Sequence, residues 1–137
     1  MDAARRVQLP AHWRRAGAVA SVLYLLPWPY GRAERIRALS DEQFRGLLDR
    51  LRSHTGLDHA AGEVLGRRLA AGLCRVELDP RGRLVLPGVL AEAAGLTRQV
   101  VLLGVLDSFE IWDADRFHAG LEREPRLTDE QRRWLEI

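Results

Sequence analysis

Apolar and polar residues alternate most clearly around residue 75, where Cys74, Val76 and Leu78 interleave with Arg75 and Glu77. A period of two predicts a strand with one buried face. Asp79-Pro80-Arg81-Gly82 then supplies turn chemistry, with proline pre-setting φ at the second position and glycine free to take a positive φ. Arg83-Leu84-Val85-Leu86 reads as the partner strand returning from that turn. Pro87 can open a helix because its missing N–H would be unpaired there, and Gly95 suits the position just past the helix end. Val100 to Leu106 and Ser108 to Trp112 read as two further strands, and Asp113 as the N-cap of a helix running to about Arg123.

The period changes to that of a helix elsewhere. Ser40-Asp41-Glu42-Gln43 and Thr128-Asp129-Glu130-Gln131 are two hydroxyl-x-x-Gln capping boxes, each predicting a helix start. Behind the first, Phe44, Leu47, Leu48 and Leu51 form one apolar face, with Arg45, Arg50 and Arg52 opposite. Asp58 to Ala71 reads as another helix with Val64, Leu65, Leu69 and Leu73 turned inward.

The N-terminal stretch repeats the hairpin region. Aspartate, arginine, leucine and proline recur at one offset: 79−2, 83−6, 86−9 and 87−10 are each 77. A fixed offset points to a duplicated unit. On this alignment Pro10 opens a helix through Trp13, and Leu23 to Pro27 falls opposite Glu110 to Asp113. The first copy is then about nine residues shorter, enough to lose a strand and its turn. It also has no counterpart before Asp2 of the strand that precedes Asp79. Three units follow: a degenerate N-terminal unit with its helix (1–56), a linking helix (57–72), and a second unit with a C-terminal helix (73–137).

Composition narrows the class. The chain has 137 residues, of which 47% are hydrophobic, enough for one moderate core. The longest apolar stretch, Val19 to Pro29, is too short and too broken by proline to span a bilayer, which predicts a cytoplasmic protein with no membrane partner. Cys74 sits on the alternating strand and reads as a small core residue. His12, His54, His59 and His118 show no ligand spacing, so neither a metal nor another cofactor is expected. Phosphate-binding glycine loops, nucleophile motifs and paired catalytic carboxylates are missing too, which argues against an enzyme and against a small-molecule substrate. The net charge is only +2, yet all 21 basic residues are arginine. A GC-rich coding sequence accounts for missing lysines, so position carries more than count: Arg5, Arg6, Arg14 and Arg15 face Asp2 alone in the first 16 residues. Trp13, Trp28, Trp112 and Trp134 suit core or interface packing, and Trp134, Leu135 and Ile137 suit a helix docked on a neighbour.

Asp79-x-x-Gly82-Arg83-Leu84-x-Leu86-Pro87, Gly95-Leu96, Val100 to Gly104 and Glu110-Ile111-Trp112 together resemble the C-terminal half of the MraZ family. The likeness covers roughly residues 57 to 122, and in the first half rests on Asp2-x-x-x-Arg6 and Leu9-Pro10-Ala11. It implies an α+β fold in which two AbrB-type (SpoVT-AbrB) hairpin units interleave into a small β-barrel covered by helices. It further implies a sequence-specific DNA-binding transcriptional regulator, a repressor of the division and cell-wall gene cluster, located with the nucleoid. Its partners would be promoter DNA carrying short repeats and other copies of itself, in a homo-oligomeric ring. By residue-wise transfer the DNA-binding arginines are Arg5, Arg6, Arg81 and Arg83, and the turn is set by Asp2, Asp79, Pro80, Gly82 and Pro87. Arg5 stands where the second copy has glycine, which predicts a weaker contribution from Arg6 than from Arg83. The rival readings are a ring-forming scaffold that has lost DNA binding and an AbrB-type antitoxin.

Overall fold

Every alternating segment of the sequence becomes a strand whose apolar side faces one shared core. The computed structural model describes residues 1–15, 21–29, 32–53 and 58–136. In chain order its elements are β1 (Arg6–Gln8), α1 (Ala11–Arg15), β2 (Val22–Trp28), β3 (Arg35–Leu39), α2 (Asp41–Ser53) and α3 (His59–Gly72). They continue with β4 (Cys74–Glu77), β5 (Arg83–Val85), α4 (Gly88–Ala93), β6 (Val100–Val105), β7 (Ser108–Asp113), α5 (Ala114–Arg123) and α6 (Asp129–Leu135). The fold is α+β, with every strand pair antiparallel.

The strands form two ladders. Five run in the order β4-β2-β3-β7-β6, and β1 pairs with β5 in a separate two-stranded ribbon. Val7, Leu9, Leu84 and Leu86 of the ribbon and its flanks, with Leu90 and Ala94 at α4, pack against Leu23, Leu25, Ile36, Ala38, Phe109 and Ile111 of the sheet. Leu9, Leu25, Ile36, Leu84, Leu86 and Ile111 are fully buried, each contributing on the order of 1.5–3 kcal/mol of hydrophobic stabilisation. The ladders remain separate, so the described strands form a ribbon over an open sheet and not a closed barrel.

Two sequence expectations are corrected here. Arg83–Val85 does not return along β4: it pairs with β1, while β4 pairs with β2. The Asp79 turn still closes locally, through the Asp79 N–H donating to the Arg83 carbonyl at 2.8 Å. Beyond it, however, the apolar side of β5 is satisfied by Val7 and Leu9 across the ribbon. The first half has also lost no strand after Pro10. Its series β1-α1-β2-β3-α2 repeats β5-α4-β6-β7-α5, so β2 stands in the place of β6 and β3 in that of β7. The offset alignment failed because the β2–β3 connection spans residues 29–34, whereas residues 106–107 alone join β6 to β7.

The helix starts follow their caps. Ser40 Oγ accepts from the Gln43 N–H and Gln43 Oε1 accepts from the Ser40 N–H, and Thr128 and Gln131 repeat this reciprocal bond. Asp58 caps α3 by accepting from the Ala61 N–H at 2.7 Å. On α3, Leu69 is buried and Leu65 half-buried, but Val64 is 45% exposed and does not face inward. Gly95, at φ +64, ends α4 as expected.

Candidate nucleic-acid interface

The duplicated motif folds into two turns of the same construction. In the first, Asp2 Oδ1 accepts from the Ala4 and Arg6 N–H groups at 2.9 Å each, and Oδ2 accepts from Arg6 Nε at 2.6 Å. In the second, Asp79 Oδ1 accepts from the Arg81 and Arg83 N–H groups at 2.9 Å each, and Oδ2 from Arg83 Nε at 2.8 Å. The backbone bonds match as well: the Arg5 N–H donates to the Asp2 carbonyl and the Gly82 N–H to the Asp79 carbonyl, at 3.0 and 2.9 Å. Each carboxylate is held below its ordinary range, first by the backbone N–H of its arginine and then, against some desolvation, by the guanidinium itself.

Arg5 retains this geometry. Its φ is +59, beside +74 for Gly82, so an arginine occupies the left-handed conformation that favours glycine. The backbone that aims Arg6 is therefore the same as that aiming Arg83, contrary to the expectation of an altered first turn. The Arg5 side chain turns to the flank, where Nε donates to the Leu86 carbonyl at 3.0 Å and the guanidinium lies beside Gly88.

The ribbon brings the two turns into one surface. Arg6 lies opposite Val85, Val7 opposite Leu84 and Gln8 opposite Arg83. Alternation buries Val7 and Leu84 and leaves Arg6, Gln8, Arg83 and Val85 on the outer face. The motif arginines thus sit diagonally across the ribbon, their Cα atoms roughly 8 Å apart by strand geometry. One turn lies at each end. Arg6 and Arg83 side chains are 44% and 27% exposed. Arg81 and Pro80 are exposed at the second tip; Ala4 holds the place of Arg81 in the first. Pro87 is the residue before α4.

Sequence reasoning passed over Gln8, whose Nε2 donates to the Arg81 carbonyl at 3.0 Å and ties the first strand to the second turn. It also passed over Arg98, exposed and placed next to the first turn by a 2.7 Å bond from the Met1 amine to its carbonyl. Polar residues on a short outer face carry no period of their own, so only the pairing reveals them. The side chains of Arg14 and Arg15, and all of His54 and Ile137, lie outside the described residues. Among the described residues no group of three or more His, Cys, Asp or Glu is placed to hold a metal ion, and no helix is long and apolar enough to cross a membrane.

Fold and surface define a pseudo-symmetric ribbon protein that presents two carboxylate-braced arginines on one exposed β face. The model of the MraZ protein family, described as antitoxin-like, matches residues 69–136. The transcriptional regulator MraZ of Leuconostoc mesenteroides subsp. mesenteroides is 30% identical over 119 residues, covering 87% of this chain and 79% of that protein. The transcriptional regulators MraZ of Symbiobacterium thermophilum and Lachnoclostridium phytofermentans are 36% identical over 75 residues and 33% over 80, covering 55% and 58% of this chain. In those two, the match spans about half of the relative, 54% and 55%. The chain belongs to the MraZ family.

Proposed function

We propose that this protein is a DNA-binding transcriptional regulator that lays the outer face of the β1–β5 ribbon against DNA. The observation that carries this reading is the pair of matching Asp–Arg turns at opposite ends of one ribbon. Each aspartate takes Nε of its arginine, which fixes the guanidinium plane and leaves its terminal nitrogens to fork onto phosphate oxygens or a guanine edge. A two-stranded ribbon also fits the major groove. Arg6 and Arg83 are the principal contacts, Arg81 extends the second tip, and Arg5 supports the first turn and adds positive charge. Asp2, Asp79, Pro80, Gly82 and Pro87 set the turn geometry.

In this reading residues 1–56 and 73–137 are two AbrB-like units joined by the helix of 57–72, with ribbon and sheet forming an open, barrel-like body. The protein acts in the cytoplasm, at the nucleoid, as a homo-oligomer on promoter DNA with short repeats, repressing the division and cell-wall gene cluster. One ribbon neutralises few phosphates, and linking several weak contacts raises affinity through effective concentration. The family names of the relatives, transcriptional regulator MraZ, support this reading over a scaffold or an enzyme.

The test is binding of wild type, Arg6→Ala and Arg83→Ala to the DNA upstream of the protein's own gene at two salt concentrations. If the arginines contact phosphate, each substitution lowers the magnitude of the salt slope by about one per engaged subunit; if they read bases, roughly 1–3 kcal/mol of discrimination disappears instead. Because Arg5 keeps the left-handed turn, the two variants should lose comparable affinity. A folded, assembled wild type that fails to bind at low salt would overturn the regulator in favour of the scaffold.

A further inference from the structure

The repeat extends beyond the strands, and at its end one copy is satisfied and the other is not. In the first half α2 is followed by α3, and in the second α5 by α6, with connections of the same length: Ser53 to His59 and Arg123 to Asp129. α3 comes back onto the fold, burying Gly62 and Leu69. Leu69 lines a cavity of about 1020 Å³ that Leu39, Leu47 and Arg50 share.

The second half contains the matching groove without its helix. Leu39, Gly46, Leu47 and Arg50 correspond, each 73 residues earlier, to Trp112, Ala119, Gly120 and Arg123, which line a groove of about 610 Å³ between β3, β7 and α5. Residues 121–136 are all exposed. Trp134 is 82% exposed, and Leu127 and Leu135 are 45% exposed. A seven-residue helix is too short to hold itself in water, yet α6 carries a complete capping box.

Charge supplies the match. Arg32, Arg116 and Arg123 line the groove and form no ion pair with a carboxylate among the described residues. With Glu34 and Glu124 also in the lining and Arg35 paired to Glu110, the rim keeps an excess of positive charge, although Arg116 also donates to the Ala94 carbonyl at 3.2 Å. Asp129 and Glu130 open α6. An indole buried in such a groove removes on the order of 150–250 Å² from water.

We propose that α6 of a second copy of this chain seats in the groove between β3, β7 and α5, with Trp134 against the Trp112 and Ala119 wall and Asp129 and Glu130 toward the arginine rim. This rests on the homo-oligomer reading above and names the surface that makes the oligomer. α6 plays for a neighbour the part that α3 plays within its own chain.

Two single-cysteine variants in a Cys74→Ser background, Ala119→Cys and Leu135→Cys, are mixed and oxidised, and the mass of wild type and Trp134→Glu is measured by light scattering. The expected result is a disulfide joining the two different variants, and a Trp134→Glu protein with unchanged circular dichroism but the mass of a single chain. An oligomeric wild type whose mass survives Trp134→Glu, with no mixed disulfide, overturns the α6 contact and leaves the homo-oligomer standing. A third variant that carries Ala119→Cys and Leu135→Cys together in the Cys74→Ser background overturns it too if its disulfide forms only within one chain while the mixed single variants form none, which places α6 on its own groove. A single-chain wild type overturns both readings.

Discussion

Arg5 and Gly82 occupy the same left-handed position in the two turns, at φ +59 and +74, and this makes a sharp comparison possible. Replacing Arg5 by alanine or by glycine removes the same bond, from Arg5 Nε to the Leu86 carbonyl, worth about 0.5–1.5 kcal/mol. The two variants then differ only in their backbones. An L-residue in this region costs roughly 1–2 kcal/mol that glycine does not pay, while glycine's freer unfolded chain costs about 0.4–1 kcal/mol. The difference leaves Arg5→Gly more stable than Arg5→Ala by roughly 0.5–1 kcal/mol. Gly82→Ala carries the same strain with no bond lost, and should destabilise by a similar amount. Urea unfolding at fixed protein concentration measures this as a midpoint shift of a few tenths molar at constant slope. Arg5→Ala unfolding at or above the midpoint of Arg5→Gly would show that residue 5 is not held at positive φ, and the two turns would no longer be equivalent.

Leu69→Asp should destabilise by about 3 kcal/mol or more, since it places an unpaired carboxylate where α3 meets the sheet; Val64→Asp, at an exposed position on the same helix, should leave thermal melting within about 0.5 kcal/mol of wild type. Stability should also fall in acid. The Asp2 and Asp79 carboxyls are depressed in the folded state, so their contribution is complete above the unfolded value near 4 and is lost as pH falls through the lower folded values. Asp2→Asn combined with Asp79→Asn should flatten unfolding curves measured from pH 5 to pH 2; an unchanged acid transition would mean the turns do not hold these charges.

Much of the second half was legible because its signals are local. The Asp79 turn, the Pro87 and Gly95 helix ends, the β6–β7 hairpin and the Asp113 cap depend on neighbours a few residues apart. Residue types at those positions state their geometry directly. What the sequence could not show is which strand lies beside which. Arg83-Leu84-Val85 alternates identically whether it pairs with β4 or with β1, and the choice is made by Val7 and Leu9, more than seventy residues away. β3 was overlooked for another reason. Arg35-Ile36-Arg37-Ala38-Leu39 has a strand period, but it received no strand in the offset alignment, and the partners that hold its arginines, Glu110 for Arg35 and Trp28 for Arg37, are set by the fold. The four arginines and the turn residues of the candidate site were all visible, yet the ribbon pairing that brings Arg6 and Arg83 onto one face was not.

The ribbon has a consequence for how the protein comes into being. Its two strands are separated by more than half of the chain, with the second turn following the first by 79−2 = 77 residues. At synthesis rates of about 5–20 residues per second, the N-terminal turn waits roughly 4–15 s on the ribosome for its partner strand to be made. Until then Val7 and Leu9 lack Leu84 and Leu86 beside them in the core, and Arg6 has no ribbon to stand in. A nascent chain therefore carries the first Asp–Arg turn on an unpaired strand, and the face that holds both turns exists only once β5 has been made.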